Sequence, residues 1–247
     1  TKLRIIHLFE ADMNLYLGIV WGRRMVRSGE SVRAFGNKNW GSRPGKRAID
    51  VVLLKTLTYQ LMDLTKTNGG TFDNDAKACY DRIIMALASL VCRRLGLPKE
   101  AVLFMGNLLQ TARYRLKTRL GVSDEWYYNT VLAPLFGSGQ GSRASSALWL
   151  AISTLIIGLM PLKSKGVTFT DPLQTLDAKR YMDGFVDDTT AWYNAFLKNI
   201  MDVGLPVEDI QKNLQEAAQW WENLLYSTGG ESGYHTHLTI PTNRLEI

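Results

Sequence analysis

Cysteine is scarce in this chain of 247 residues, which contains only Cys79 and Cys92. Neither lies in a CxxC motif or beside other zinc-type ligands, so the sequence predicts neither a disulfide framework nor a zinc site. The N-terminus lacks a basic stretch followed by a short apolar one, and we therefore predict no signal peptide. These absences favour a reducing, intracellular location and do not decide between nucleus and cytoplasm.

Long apolar runs are also rare. Only residues 144–162 lack charge over a length close to that of a membrane span. Serine and threonine side chains dilute this run, and Pro161 ends it. We favour a helix buried on most sides over a membrane span, and we predict no membrane partner.

Acidic residues are scarce in the first 47 positions, which contain three acids against ten lysine and arginine residues. The net charge of the whole chain is +6, so this arm carries the entire positive excess. A basic arm favours a polyanionic partner, although a solvated basic surface explains it equally well. Four further cations alternate along a predicted strand and have the same two explanations: Arg113, Arg115, Lys117 and Arg119.

Helical and strand patterns are mixed along the chain and predict an α+β fold. Apolar spacing predicts helices over residues 51–66, 81–95 and 210–225, with Asp81 as the N-cap of the second. Short strands are predicted at "TFDND" and "YHTHLTI". The first helix is predicted to bury one face: Val51, Leu54, Leu57, Leu61 and Leu64.

Asp187 and Asp188 lie at the predicted turn of a β-hairpin over residues 181–193. Adjacent carboxylates repel each other unless a cation binds between them, and their hard oxygen atoms favour Mg²⁺ or Mn²⁺. Asp75 ends the "TFDND" strand and would supply a third ligand if that strand lay beside the hairpin. Ordinary turn chemistry is the alternative for each aspartate taken alone.

The segment "LFGSGQGSRAS", residues 135–145, is rich in glycine and leads into the apolar run. Its glycines allow a close backbone approach to a ligand, and the N-terminus of the following helix favours an anion. The segment does not match the dinucleotide-binding fingerprint, because the third glycine and the acidic ribose partner are missing at the required spacings.

The order "FDNDAKACYD", "GSGQGS" and "FVDD" resembles the palm of reverse transcriptases of the retrotransposon type. That family has an aspartate followed five residues later by an aromatic residue, then a Gln-Gly-Ser loop, then an aromatic-x-Asp-Asp hairpin. "LRII" and "NWGSRPGKRAID" are similar to its fingers segments. The resemblance covers nearly the whole chain. It implies partial, basic fingers over residues 1–70 and a palm over residues 71–247, with 82–135 compatible with either.

The resemblance implies a ferredoxin-like antiparallel sheet backed by helices, without a thumb. It also implies an RNA-directed DNA polymerase that uses an RNA template, a DNA primer and dNTPs. Two Mg²⁺ ions, or Mn²⁺, would be held by three catalytic residues: Asp75, Asp187 and Asp188. The incoming nucleotide would contact four others, of which the tyrosine would exclude a ribose 2′-OH: Tyr80, Gln140, Gly141 and Arg4.

A catalytically silent nucleic-acid-binding domain derived from such an enzyme is the alternative. Family members often carry a lysine, a candidate general acid, in the strand after the Gly-Gly pair, and "ESGYHTHLTIPTNRLEI" has none. His235 and His237 are candidate replacements. Asp183 is an acid where an apolar residue is expected.

Overall fold

The computed structural model describes residues 6–65, 67–134, 136–194, 207–233 and 237–239. A first helix, α1, continues through a π-helical stretch at Gly18–Met25 into α2. In chain order the helices are α1 Ala11–Leu17, α2 Val26–Ser31, α3 Ala48–Leu64, α4 Cys79–Arg82, α5 Met85–Arg94, α6 Lys99–Thr111, α7 Ser145–Leu159 and α8 Val207–Ser227. The last turn of α7 leads into a 3₁₀ turn at Met160–Leu162.

The strands are short, and the longest have seven residues. In chain order they are β1 Gly69–Asp75, β2 Arg113–Tyr114, β3 Lys117–Thr118, β4 Gly121–Val122, β5 Tyr127–Tyr128, β6 Val167–Thr170, β7 Asp177–Arg180, β8 Met182–Phe185, β9 Asp188–Asn194 and β10 His237–Thr239. The chain forms two compact units. The first unit comprises Thr1–Ala34 and Tyr80–Ala151, and the second comprises Phe35–Cys79 and Ile152–Ile247.

The second unit is built on a four-stranded sheet in the order β10-β1-β9-β8, with every neighbouring pair antiparallel. The chain connects β1 to the β8–β9 hairpin by a crossover that contains α7, and connects β9 to β10 through α8. This βαββαβ connectivity with a split order is that of the ferredoxin-like fold. The predicted α+β class with an antiparallel sheet backed by helices is confirmed.

Strand β1 packs between two helices because its side chains alternate between two faces. On one face the buried Asn74 accepts a hydrogen bond from Trp221 Nε1 of α8 at 2.9 Å. On the other face the Thr71 hydroxyl shares a hydrogen bond of 2.8 Å with Tyr59 of α3. Asp75 has the parity of Thr71 and therefore projects from the α3 side of the sheet.

The β8–β9 hairpin turns through Val186 and Asp187. Val186 has φ of +58°, a left-handed conformation that is rare for a β-branched residue. The segment before α3 lies against this hairpin, and Trp40 N donates a hydrogen bond of 2.8 Å to Gly184 O. A Cβ at position 41 would overlap the backbone of Val186, so only glycine fits there. The neighbouring backbone therefore helps to hold the turn that carries Asp187.

Asp183 is buried and has a structural partner, which the sequence did not indicate. Its side chain is 4% exposed and accepts hydrogen bonds from the Arg180 guanidinium and from Trp192 Nε1, the latter at 2.8 Å. A buried carboxylate requires such compensation. The acid at this position belongs to the internal packing of the sheet.

The first unit is mainly helical. The helical segment α1–α2, with α5 and α6, supplies a core that includes Trp21, Met25, Ala88, Cys92, Met105 and Leu109. Burial raises the pKa of the Cys92 thiol to about 12. Two short antiparallel pairs, β2–β5 and β3–β4, extend beyond α6 as one hairpin-like segment.

Two predictions about helices are wrong. In α3 the buried positions are Thr58 and Met62, whereas Leu57, Leu61 and Leu64 are 43%, 41% and 76% exposed. Asp81 is not an N-cap, because it lies inside the short helix α4. The helical structure is interrupted after α4, and α5 begins after its N-cap residue, Ile84.

One helix in the described part of the chain, Ser145–Leu162, is long and apolar enough to cross a membrane, with a mean hydropathy of 1.8. Of this segment 61% is buried inside the structure. Trp149, Ile152 and Ile156 are each at most 2% exposed. This burial is typical of the core helix of a globular domain.

Candidate active site

The second unit brings the predicted carboxylates to one end of its sheet. Asp75 is the direct partner of Asp188 in the β1–β9 register. Opposite residues of an antiparallel pair have Cα atoms about 4.5–5.5 Å apart and side chains on the same face. Asp187 lies in the adjoining turn, and its carbonyl oxygen accepts a hydrogen bond of 3.0 Å from Ala76 N. Asp75 and Asp188, which are 113 positions apart in the sequence, thus become neighbours.

The electrostatics of this cluster are unfavourable for a full set of negative charges. Burial raises the pKa of Asp188, and the nearby charges of Asp187, Asp75 and Asp73 raise it further. Lys55 acts in the opposite direction, but its influence is the smallest of the five. Like charges placed opposite each other in a sheet destabilise it. A bound cation would relieve this repulsion.

Asp73 has a cationic partner in α3. Lys55 Nζ of α3 lies 2.6 Å from Asp73 Oδ1. The Thr190 hydroxyl donates to the same oxygen at 2.5 Å. In the ranges described, neither Asp75 nor Asp188 has a hydrogen bond or ion pair to its carboxylate. Lys55 therefore offsets the charge of Asp73.

Three carboxylates at one sheet end have the donor chemistry that Mg²⁺ and Mn²⁺ require. Among the described residues, however, no group of three His, Cys, Asp or Glu side chains has an arrangement that could hold a metal ion. Aspartate has only two rotatable side-chain bonds, and the backbones are already adjacent. The residues fit a metal pair by type and backbone position.

Three of the predicted nucleotide-binding residues lie in the first unit, and Arg4 lies outside the described residues. Tyr80 is half-buried in α4, and its carbonyl oxygen accepts hydrogen bonds from Ser138 N at 2.7 Å and from Ser138 Oγ at 3.1 Å. Gln140 N donates to Asp81 Oδ1 at 3.1 Å, and Gln140 O accepts from His7 N at 2.6 Å. The glycine-rich loop is thereby tied to α4 and to the N-terminal segment.

Gly141 is exposed and has φ of +110°, which L-residues with a side chain rarely adopt. A Cβ there would overlap the carbonyl oxygen of His7. Asn14 Nδ2 donates to Gly141 O at 3.1 Å, and Asn14 Oδ1 accepts from Arg143 N at 2.8 Å. The sequence predicted that a ligand could approach this loop closely. At Gly141 the group that comes close is the carbonyl oxygen of His7.

A cavity of about 280 Å³ lies beside this loop within the first unit. Its walls include the rings of His7, Phe9 and Tyr114, with Asp81 and Ser138 as polar groups. His7 Nδ1 is buried and has no hydrogen-bond partner among the described atoms. The volume lies just below the range of about 300–1,000 Å³ that is usual for ligand pockets.

Two features of the site were missed by the sequence analysis. Lys55 is the only charged residue among residues 51–62, and that isolation was an available signal for an acidic partner, which is the partly buried Asp73. The strained turn at Val186 had no signal, because valine is not a typical turn residue. The prediction that His235 or His237 replaces a lysine lies outside the described side chains.

No protein-family model matches the chain, and no curated protein matches it. Solved structures of telomerase have a similar fold. Telomerase from Candida albicans, in complex with the TWJ fragment of telomeric RNA, aligns with a TM-score of 0.56 and 12% identity over 92% of this chain and 35% of that chain. Apo telomerase from Candida tropicalis, truncated from its C-terminal domain, aligns with a TM-score of 0.54 and 12% identity over 94% of this chain and 40% of that chain. The protein therefore has the fold of a segment of telomerase and spans well under half the length of those chains.

Proposed function

We propose that this chain is a fragment of an RNA-directed DNA polymerase, which transfers a nucleotide from a dNTP to a primer 3′-OH. The observation that carries the proposal is the direct pairing of Asp75 with Asp188 beside Asp187. These three carboxylates are proposed as the catalytic residues and as ligands of two Mg²⁺ ions, with Mn²⁺ as an alternative. The same region resembles reverse transcriptase motifs in sequence, and the fold is that of a telomerase segment.

In this proposal the residues at the end of the sheet have different roles. A metal pair, when bound, would activate the primer 3′-OH and neutralise charge on the triphosphate during in-line transfer. Asp75 and Asp188 would hold their oxygens on one face of the sheet, because the β1–β9 ladder fixes their backbones. Asp187 would be positioned by the tight turn at Val186. Lys55 would keep Asp73 engaged and out of the ligand set.

Tyr80, Gln140, Gly141 and Arg4 are proposed to contact the nucleotide on the strength of the motif resemblance. Tyr80 would exclude a ribose 2′-OH. The proposed partners are an RNA template, a DNA primer and dNTPs, and one of the similar telomerase structures is a complex with an RNA fragment. The proposal includes an intracellular location. The motifs favour a retrotransposon type, and the proposal does not depend on that type.

Primer extension on poly(rA) with oligo(dT), dTTP and Mg²⁺ or Mn²⁺ tests the polymerase function. We expect extension by the wild type and its loss in Asp75→Asn and Asp187→Asn. Glu216→Gln removes an exposed acid of α8 and is the matched control, which should remain active. Extension that persists in both aspartate variants would contradict the proposal.

A catalytically silent nucleic-acid-binding domain is the second candidate. The observation that favours it is that no three acidic or other metal-ligating side chains converge among the described residues. In this case the chain would bind template and primer with a steep salt dependence but would not extend the primer at any concentration of Mg²⁺ or Mn²⁺.

A further inference from the structure

We propose that the segment Arg113–Tyr128 is a binding site for single-stranded nucleic acid. Its binding surface, here called the basic aromatic face, consists of Arg113, Arg115, Trp126 and Tyr128. The proposal is independent of the polymerase function, because it needs neither the carboxylates nor a metal.

Strand register places cations and aromatic rings on the same side of this segment. Arg113 is the direct partner of Tyr128 in the β2–β5 pair, so their side chains share a face. Two residues further on, the Arg115 guanidinium lies 5.4 Å from the centre of the Trp126 ring. The Arg115–Trp126 contact lies just beyond the two-rung β2–β5 ladder, so the two arginine–aromatic pairs are two residues apart on each arm of the segment.

The basic aromatic face is open to solvent. Trp126 and Tyr128 are 55% and 62% exposed, and Arg113 and Arg115 are exposed as well. Asp124 lies 3.7 Å from Arg115, but it is fully exposed and so competes only weakly for that cation. Arg115 Nε also donates to Ser123 O at 2.6 Å, while both rings keep more than half of their surface exposed to solvent.

On the opposite side of the segment, Tyr114 and Asn129 contact other parts of the first unit. Tyr114 is half-buried and lies edge-on to the rings of His7 and Phe9, at 5.2 and 6.4 Å. Asn129 Nδ2 donates to Leu109 O at the end of α6, at 3.0 Å. Because one side is anchored, the basic aromatic face is presented in a defined orientation, and less order must be gained on binding.

This composition matches single-stranded nucleic acid better than a protein partner. Every base has an aromatic face that stacks on tyrosine or tryptophan, whatever the sequence. Arginine adds cation–π contact with bases and hydrogen bonds to phosphates. Bases within a duplex are already stacked, so the rings favour an unpaired strand. DNA and RNA share this chemistry, and both are therefore candidate ligands.

Fluorescence anisotropy with labelled oligo(dT), oligo(rU) and an abasic oligonucleotide of the same length tests the proposal. The measurements use the full chain in EDTA, so that no metal-dependent step contributes. Trp126→Ala/Tyr128→Ala should weaken binding of oligo(dT) or oligo(rU) about fivefold or more, because stacking is lost. Binding of the abasic strand should not change. A preference for either strand identifies the ligand and supports the site.

Arg113→Gln/Arg115→Gln should weaken binding of all three strands and lower the salt slope by about 1.4. Two controls remove the same groups elsewhere: Arg93→Gln/Arg94→Gln in α5, and Tyr226→Ala, which is 81% exposed in α8. Both controls should bind oligo(dT) almost as the wild type does. Circular dichroism confirms that each variant is folded.

Equal affinity of the wild type and Trp126→Ala/Tyr128→Ala for oligo(dT) and oligo(rU) would overturn the proposal. An equal loss on the abasic strand would overturn it too, since it would show that the rings do not contact bases. A wild type that binds no oligonucleotide at low salt would also overturn it and would leave a protein partner for this face. Primer extension is measured separately, so failure here does not decide the polymerase proposal.

Discussion

Asp75 and Asp188 are direct partners across the antiparallel strands β1 and β9. Asp187 immediately precedes Asp188 in the turn, so three acids gather at one end of the sheet. Most sheets avoid opposed like charges because they cost stability. Here burial and the neighbouring aspartates raise the pKa of Asp188. A protein that keeps this arrangement gains stability from any cation that binds there.

Asp188→Asn should stabilise the chain in EDTA at neutral pH, because it removes one repelling charge without changing the shape of the side chain. We expect the melting temperature to rise by about 1–3 °C. Addition of Mg²⁺ or Mn²⁺ should stabilise the wild type and leave this variant almost unchanged. Differential scanning fluorimetry measures both effects. A lower melting temperature for the variant in EDTA would contradict the proposed repulsion.

The raised pKa of Asp188 predicts that the free energy of unfolding depends on pH. The pKa of Asp188 is higher in the folded chain than in the unfolded one, so the folded chain binds this proton more tightly. The contribution of Asp188 to the free energy of unfolding is therefore largest below its ordinary pKa and is lost as pH rises through the raised value. Urea denaturation in EDTA across this range should show a decline that Asp188→Asn reduces. An identical pH profile for wild type and variant would rule out this contribution.

Tyr80→Ala tests the proposed discrimination between deoxyribonucleotides and ribonucleotides. Removal of the ring should raise the relative use of a ribonucleotide by about tenfold or more in primer extension, since the barrier is steric. Tyr181→Ala is a control in which a half-buried tyrosine of the second unit is removed. An unchanged dNTP preference in Tyr80→Ala would remove the steric-gate assignment.

Gly141→Ala should destabilise the chain by about 2 kcal/mol or more. The residue has a positive φ, and the added Cβ would overlap the His7 carbonyl. Gly106→Ala is the matched control, because Gly106 lies inside α6 with no atom within 4 Å of the new Cβ. That control should stabilise the chain by about 0.5–1 kcal/mol. Chemical denaturation distinguishes them, and equal effects would contradict the local geometry.

Trp221→Phe should cost about 1–3 kcal/mol of the free energy of unfolding. In the wild type, Trp221 Nε1 donates a hydrogen bond of 2.9 Å to the buried Asn74 Oδ1 and so joins α8 to β1. The variant leaves this oxygen without its donor. The neighbouring Trp220 is the control, since its indole donates to Leu159 O at 3.2 Å in a less buried position. Trp220→Phe should have a smaller effect. A larger loss in Trp220→Phe would show that the α8 interface depends on another contact.

The strand that ends at Asp75 and the tight turn at Asp187 were predictable from local sequence patterns, whereas their proximity was an expectation from the resemblance to reverse transcriptases. The buried face of α3 was not predictable from its pattern. Apolar residues occur on more than one face of that helix. The face with Thr58 and Met62 is buried, and the face with Leu57 and Leu61 is exposed. Periodicity finds an apolar face, but packing decides which of two faces is used.

The misplaced N-cap at Asp81 has a similar cause. Gln140 N donates to the carboxylate of Asp81, and Gly137 N donates to Ile83 O. These bonds to the glycine-rich loop replace the local helix hydrogen bonds that the pattern predicted. Long-range contacts thus override helix preference at this position. The pairing of Lys55 with Asp73 is equally long-range in origin, since it depends on how α3 lies on the sheet.

The central claim is that Asp75, Asp187 and Asp188 together bind divalent metal ions. Titration of Mn²⁺ followed by electron paramagnetic resonance tests it most directly, with Asp75→Asn, Asp188→Asn and the control Asp124→Asn. We predict saturable binding to the wild type and the control. Each of the other two variants should bind about tenfold or more weakly. Mn²⁺ binding of equal strength in all four proteins would contradict the account.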